Sequence, residues 1–201
     1  EAIKKATIKG AEEIFLIDNT KSLFGLTPNY KMLQEAAKLS TLPITFGGGI
    51  KSLEDAMQAY SIGASRVYIN TALANNHKLA MEIAFRCGRQ SLSGGIEYRS
   101  DGIINNECFA ESGREPLKVS ANQRINLESE YVGEFILSSI TQDGTMAGPD
   151  LKVLDSVDNK NIPLIICGGI NIVRDESKLY EKSKKNYNLS GFASSSSFLI
   201  H

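Results

Sequence analysis

The sequence has no tryptophan, only two histidines and only three cysteines among its 201 residues. Cys87, Cys108 and Cys167 are odd in number and lack CxxC spacing, which argues against a disulfide framework or a zinc cluster and favours a reducing cytoplasm. No stretch has the roughly 18 apolar residues of a membrane span, and no signal peptide is visible. The net charge of −1 excludes broad attraction to nucleic acid or to an anionic membrane. Any anion site must therefore be local, and no metal or cofactor is predicted.

Short apolar runs alternate with helical patterns along the chain, in a composition that is 42% hydrophobic and 22% charged. This alternation predicts an α/β fold with a parallel sheet covered by helices, in a single domain over residues 1–201. Between the strands we expect a hairpin at Ile103–Phe109 and a helix that starts at Asp150. Residues 1–10 are expected to form the end of an amphipathic helix closed by Gly10, and Asn29 can cap a helix over Tyr30–Leu39. The other predicted helices are His77–Arg86, Val119–Glu130 and Asp175–Lys185.

A glycine-rich turn between a strand and a helix occurs twice. Residues 43–50 read Pro-Ile-Thr-Phe-Gly-Gly-Gly-Ile, and residues 163–170 read Pro-Leu-Ile-Ile-Cys-Gly-Gly-Ile. Ser52, with Asp55 three residues later, predicts a capped helix after the first turn. Glycines here let backbone N–H groups approach an anion, and the helix dipole adds to the attraction. A tight connection without a ligand is the alternative interpretation.

Further strands repeat at nearly the same spacing of about 120 residues. Glu13-Ile-Phe-Leu matches Glu134-Phe-Ile-Leu, and residues 67–71 match residues 191–196 more loosely. Two halves of one fold explain the repeat, although chance similarity of short apolar strands could also produce it. Seven strands are visible, and the counterpart of the strand that ends at Glu97 would precede Glu1. We therefore expect a TIM (β/α)8 barrel without its first strand and its last helix, with an open seven-stranded sheet as the alternative.

Polar residues cluster where the predicted strands end, at the face where such barrels carry their active sites. Two anion sites related by the repeat would suit a ligand with a phosphate at each end. The acids at strand ends, where a carboxylate can act as a general acid or base, are Asp18, Glu97 and Asp143. Each also has a structural interpretation: Asp18 could cap a turn, Glu97 could pair with Arg99, and Asp143 could be a turn residue. The expected anion sites are Gly49 with Asn70 and Thr71, and Gly168 and Gly169 with Ser195 and Ser196.

The motifs as a set resemble the cyclase subunit of imidazole glycerol phosphate synthase, over almost the whole chain. They are residues 10–20, Phe46-Gly-Gly-Gly-Ile50, Val67-Tyr-Ile-Asn-Thr-Ala72, Ile96-Glu97, Glu134-Phe-Ile-Leu-Ser-Ser139 and Gln142-Asp-Gly-Thr145. The resemblance implies that ammonia from a glutaminase partner reacts with a ribulosyl bis-phosphate in histidine biosynthesis.

The resemblance also implies roles for individual residues. Gly144 joins the phosphate residues, and Ser195 replaces the alanine or glycine usual in the family. Glu13, Arg66 and Glu134 match charged residues that ring the ammonia entrance at the opposite end of the barrel. Family members use an aspartate at the position of Glu97, and their first-strand aspartate would lie before Glu1. Two alternatives stay open: a paralogous barrel that acts with a glutaminase in sugar amidation, and a non-catalytic glutaminase scaffold.

Overall fold

The computed structural model describes residues 2–185 and 188–194, and these form strands that alternate with helices. Within these ranges, no helix combines the length and the hydropathy that a membrane crossing requires. All three cysteines are free thiols. The strands are β1 (Ile14–Ile17), β2 (Ile44–Gly47), β3 (Arg66–Ile69), β4 (Leu92–Arg99), β5 (Glu107–Ala110), β6 (Glu115–Ser120), β7 (Glu134–Ser139), β8 (Leu164–Cys167) and β9 (Leu189–Ala193). The helices are α1 (Ala2–Ile8), α2 (Asn19–Leu23), α3 (Tyr30–Leu39), α4 (Leu53–Ile62), α5 (Thr71–Asn75), α6 (His77–Cys87), α7 (Ala121–Glu128) and α8 (Ile172–Lys185).

Seven strands form one parallel sheet in the order β1-β2-β3-β4-β7-β8-β9, and a hairpin of β5 and β6 pairs with β4. Helices lie in the connections between neighbouring strands, and their apolar faces pack with one face of the sheet into the larger hydrophobic core. The predicted α/β fold with a parallel sheet is confirmed, and within the described residues it takes the form of a partial barrel.

The sheet curves round a second, smaller apolar cluster. Tyr68 of β3, Ile136 of β7 and Ile165 of β8 are buried together, and Phe15 of β1 packs against them. Four strands separate β1 from β8 in the sheet order, so side chains of both strands can belong to one cluster only if the sheet curls. The cluster therefore occupies the interior of the barrel.

The repeat seen in the sequence is also a repeat in strand register. Phe15 of β1 pairs with Thr45 of β2, and Ile136 of β7 pairs with Ile165 of β8 in the same way. The two pairs lie 121 and 120 positions apart along the chain. The same side-chain positions of both halves therefore face the barrel interior.

Three of the expected local signals are confirmed. Ser52 caps α4, its side chain accepts from the Asp55 N–H, and Asp55 completes a capping box. The Asn29 side chain caps α3 by accepting from the Met32 N–H. Gly10, which follows α1, has a φ of 84°, a conformation that suits glycine at a helix end.

The expected helix from Asp150 is wrong, because this segment forms only a short 3-10 turn at Lys152–Ser156. The residues that follow are Val157-Asp-Asn-Lys-Asn161, and valine, aspartate and asparagine are poor helix formers.

The hairpin exists, but its expected position at Ile103–Phe109 is wrong. Its strands are β5 and β6, and the chain reverses at residues 111–114. Ser112 and Gly113, which looked like a flanking boundary, form this turn with φ angles of 57° and 79°. The short helices α2 and α5 were not predicted, since five residues give too little periodicity to detect.

Two glycines make room for Tyr68 inside the barrel. A Cβ on Gly95 of β4 would lie 2.2 Å from the Tyr68 hydroxyl oxygen, and a Cβ on Gly47 of β2 would lie 2.7 Å from the ring carbon Cδ1. Real Cβ atoms do not approach so closely, and the Tyr68 side chain is held between two neighbouring strands. These strand positions therefore accept only glycine while Tyr68 keeps its place.

We expect Gly95→Ala to lower the free energy of unfolding by about 1–3 kcal/mol, because the added methyl group overpacks the interior against Tyr68. Gly102→Ala is the matched control, since the nearest atom to a Cβ there is 3.5 Å away, and it should change stability by less than about 0.5 kcal/mol. Urea denaturation measures both variants. Equal stabilities of the two would contradict this account of the interior.

Candidate active site

Corresponding glycines of the two turns have nearly the same φ angles. Gly48 and Gly49 have φ angles of 100° and 80°, and Gly168 and Gly169 have φ angles of 98° and 74°. A Cβ at Gly48 would lie 2.2 Å from the carbonyl oxygen of Asp18, and one at Gly168 would lie 2.8 Å from that of Ser139. Each turn thus packs against the end of the preceding parallel strand. Both φ and the lack of space require glycine.

The N-termini of the helices after these turns already carry a negative charge. The Asp55 carboxylate accepts from the N–H groups of Lys51 at 3.0 Å and Ser52 at 3.1 Å. In the second half, Asp175 accepts from the N–H of Asn171 at 3.0 Å. These carboxylates offset the dipoles of α4 and α8. Donors for an anion must therefore come mainly from the glycine turns and from the ends of the next strands.

A small cavity of about 40 Å³ lies beside the first glycine turn. This volume is of the order of one water molecule. The cavity brings together three residues predicted to bind phosphate and one predicted catalytic acid. The polar and glycine residues that line it include Gly48, Gly49, Asn70, Thr71, Glu97 and Ser112.

The second predicted anion site is described only in part, because Ser195 and Ser196 lie outside the described residues. Gly169 packs closely on the loop after β7, where a Cβ would lie 2.4 Å from the carbonyl oxygen of Gly148. The Gly148 N–H donates to the Gly169 carbonyl at 2.9 Å. Gly144, in the same loop, has a φ of 72° and open space around it.

Glu97 points into the barrel from the carboxyl end of β4. Its Oε2 atom is buried and has no hydrogen-bond partner among the described residues, while the backbone N–H of Gly113 donates to its carboxylate. Burial raises the pKa of Glu97, and the nearby charge of Asp143 adds to the rise. The Gly113 hydrogen bond and the positive charge of Arg124 oppose it. A carboxyl group that keeps its proton to higher pH is suited to acid–base chemistry.

The other two predicted acids have different surroundings. The Asp18 carboxylate accepts from the Thr20 hydroxyl at 2.5 Å and from the Asn29 amide at 3.0 Å. These hydrogen bonds lower the pKa of Asp18, and they favour its interpretation as a turn cap. Asp143 is exposed in the loop after β7, close enough for its charge to act on Glu97 and Cys167.

The tip of the hairpin contacts the residues that follow β3, and Ser112 lines the same cavity as Gly48 and Gly49. The Glu111 N–H donates to the Thr71 hydroxyl at 3.0 Å, and the Asn70 amide donates to the Phe109 carbonyl at 3.4 Å. Glu111 and Ser112 have positive φ angles of 50° and 57°, an uncommon conformation for residues with side chains. The sequence signal was the Ser112-Gly113 pair, which marks the turn that reaches the site.

A polar network lies inside the opposite end of the barrel. The guanidinium of Arg66 lies 3.0 Å from Glu13 and 3.6 Å from Glu134. The structure therefore brings together the three residues predicted to ring an entrance. Sequence reasoning missed two hydroxyl groups that complete the network: Thr45 donates to Glu13 at 2.5 Å, and Ser93 donates to Glu134 at 2.6 Å.

A second cavity, of about 670 Å³, is an outer groove between the 3-10 turn and α8. It is lined by side chains of both signs, such as Asp150, Lys178 and Lys182. None of Glu97, Gly49 and Gly169 contributes to its lining. Among the described residues, the groove therefore reaches the second glycine turn only through Gln142, which packs against Gly169.

The sequence is similar to those of several known proteins. Residues 1–193 match the model of the family described as histidine biosynthesis protein. The putative imidazole glycerol phosphate synthase subunit hisF2 of Pseudomonas aeruginosa is 34% identical over 202 residues, which cover 100% of this chain and 79% of that protein. The imidazole glycerol phosphate synthase subunit HisF of Legionella pneumophila is 35% identical over 164 residues, with 81% and 77% covered. The putative subunit hisF3 of Vibrio vulnificus is 29% identical, with 99% and 76% covered.

We expect Arg66→Met to lower the free energy of unfolding by about 1–3 kcal/mol, since it leaves two partly buried carboxylates without their cation. Lys78→Met is the control, because Lys78 and Glu82 form an exposed pair at 3.8 Å whose loss should cost less than about 0.5 kcal/mol. Thermal or urea unfolding measures both changes. If the two variants lose the same stability, the network does not stabilise this end of the barrel.

We expect the stability of the wild-type protein relative to Glu97→Gln to fall as pH rises through the ordinary glutamate range. The folded-state pKa of Glu97 is raised, so its stabilising contribution is complete below the unfolded-state pKa and is lost towards the folded-state pKa. Asp18→Asn should behave oppositely, because the lowered pKa of Asp18 stabilises the fold above the ordinary aspartate range. Urea denaturation between about pH 3 and pH 8 tests both signs. A pH-independent difference for Glu97→Gln would contradict the raised pKa.

Proposed function

The chain belongs to the histidine biosynthesis protein family, and on that premise we propose that it is the cyclase subunit of an imidazole glycerol phosphate synthase. Ammonia from a glutaminase partner would react with a ribulosyl bis-phosphate. The products would be imidazole glycerol phosphate and an aminoimidazole carboxamide ribonucleotide. The names of the HisF relatives support this assignment.

The observation that carries the proposal is the equivalence of the two glycine turns. Their φ angles agree within a few degrees, and each lies at the carboxyl end of an interior parallel strand. Backbone N–H groups in such turns bind phosphate oxygens without a charged side chain. Two equivalent turns on one rim suit a long substrate with a phosphate at each end. Gly49, Asn70 and Thr71 would hold one phosphate, and Gly144, Gly168, Gly169, Ser195 and Ser196 would hold the other.

Glu97 is our candidate for proton transfer between the two phosphate sites. Its carboxyl group lies at the rim, and burial favours the protonated form. Such a group can donate a proton to a leaving oxygen or nitrogen and recover it from the product. Asp143 is the candidate for the second acid–base group, since its charge already acts on Glu97. The contacts of Asp18 suit a role in holding the loop after β1.

The network at the opposite end is our candidate for the ammonia entrance. Arg66 joins Glu13 and Glu134 across the interior, and Thr45 and Ser93 fix the two carboxylates. A glutaminase docked on this end would release ammonia beside the network. The barrel interior would then separate the site of ammonia release from the site of its use.

A second candidate function is a paralogous barrel that acts with a glutaminase in sugar amidation. Glu97 favours it, since the family resemblance leads us to expect an aspartate at this position. The longer side chain moves the carboxyl group by about one ångström, and a misplacement of this size can lower a rate on the order of a hundredfold. The relatives with the numbered names hisF2 and hisF3 are compatible with this alternative.

Turnover of the ribulosyl bis-phosphate with ammonium chloride tests the proposal, with imidazole glycerol phosphate measured as the product. We expect Glu97→Gln to lower kcat by about a hundredfold or more while substrate still binds, because only proton transfer is removed. Glu82→Gln, the same change on the exposed face of α6, should leave kcat unchanged. A wild-type protein that binds the substrate but forms no imidazole product would refute the cyclase. In that case, failure to rescue a histidine auxotroph would favour the paralogous barrel. If the protein also fails to bind the substrate, a non-catalytic scaffold would be favoured.

A further inference from the structure

A buried ion pair lies outside the barrel wall, directly behind Asn70. Arg124 and Glu128 belong to α7, and their side chains are only 3% and 2% exposed. The guanidinium Nε donates to Glu128 Oε1 at 2.9 Å, and Nη2 donates to Oε2 at 3.0 Å. This two-bond geometry fixes the plane of the guanidinium and neutralises its charge.

The third guanidinium nitrogen points to Asn70. Its Nη1 donates to the Asn70 Oδ1 at 2.9 Å, across 54 residues of sequence. A guanidinium has donors and no acceptor, so only the amide oxygen of Asn70 can face it. The Nδ2 group must then point away from Arg124, towards the hairpin, where it donates to Phe109. Arg124 therefore determines which way the Asn70 amide is turned.

We propose that Arg124 is a positioning residue for the first anion site: it holds the Asn70 oxygen, so that the amide NH2 group, one N–H of which donates to Phe109, is the group left on the side of the cavity beside Gly49. Asn70 lines this cavity together with Gly49 and Thr71. Without Arg124, the amide could rotate and present its oxygen, which would repel an anion. The inference rests on the proposed function for the identity of the anion, a phosphate group.

The contact to Asn70 is not needed to hold α7 in place. Ser120 and Gln123 form a capping box at the start of this helix, and Ala121 and Ile125 are fully buried in the core. His77 lies 3.7 Å from Glu128 and adds a further contact to this helix. Since these contacts already anchor α7, the guanidinium is available to orient Asn70.

An NMR titration of the whole chain with inorganic phosphate tests the inference. The backbone N–H signals of Gly49 and Thr71 report the first site, and the Gly169 signal reports the second site in the same sample. Arg124→Leu combined with Glu128→Leu removes both charges together, because replacing a whole buried pair with apolar residues is often tolerated. We expect about tenfold weaker phosphate binding at Gly49, the effect of about one lost hydrogen bond, with no change at Gly169.

Asn70→Ala distinguishes positioning from a general structural effect. It should weaken phosphate binding at Gly49 by a similar factor, and adding the two leucines to Asn70→Ala should cause no further loss. The Asn70 Nδ2 proton signals give a direct reading, which we expect to move to solvent-exposed positions in the leucine variant. Arg124→Lys, which keeps one donor, should recover part of the affinity.

Each of the other outcomes overturns a defined statement. Unchanged binding at Gly49 in the leucine variant, or additive losses in the presence of Asn70→Ala, would overturn the positioning role and leave the proposed function intact. Equal losses at Gly49 and Gly169 would show a global effect and would also overturn it. If phosphate shifts neither Gly49 nor Gly169 in the wild-type chain, the anion sites of the proposed function fail, and the inference fails with them.

Discussion

Parallel hydrogen bonding between strands that follow one another in the chain brings the carboxyl end of each strand to the same rim of the sheet. The seven parallel strands pair in this way, and the curvature round Phe15, Tyr68 and Ile136 turns the rim into an arc. Residues far apart in sequence, such as Gly49, Glu97 and Asp143, consequently share one end of the molecule. The arc gathers the backbone donors and the carboxyl groups on which the proposed chemistry depends.

The same arrangement explains which features the sequence could predict. Apolar runs and paired glycines are local signals, so the strands, the α/β class and both turns follow from spacing alone. The sequence also predicted the repeat of two halves, and the pairs Phe15–Thr45 and Ile136–Ile165 show that the repeat extends to strand register. The prediction of a helix from Asp150 was wrong for a local reason too. Asp158 and Asn159 are poor helix formers, so the helix propensity of this segment is low.

The residues that sequence reasoning missed interact across long separations. Arg124 contacts Asn70 54 residues away, and Ser93 contacts Glu134 41 residues away. Nothing in the neighbourhood of either residue marks it, because an arginine in a short amphipathic helix normally faces solvent. The position of the hairpin tip over Thr71 is equally invisible, since it depends on the pairing of β5 with β4. The surroundings of Asp18 likewise became clear only from its partners Thr20 and Asn29.

The interior cluster also has a consequence for proton balance. Phe15, Tyr68, Ile136 and Ile165 form an apolar layer between the charged network around Arg66 and the acid at Glu97. A hydrated ion that crossed this layer would lose its water shell and gain no compensating partner, whereas a small uncharged molecule would lose far less. In the proposed function, the layer would therefore disfavour the passage of ions relative to a small uncharged molecule. We therefore expect any proton that Glu97 exchanges to come from the rim side of this layer.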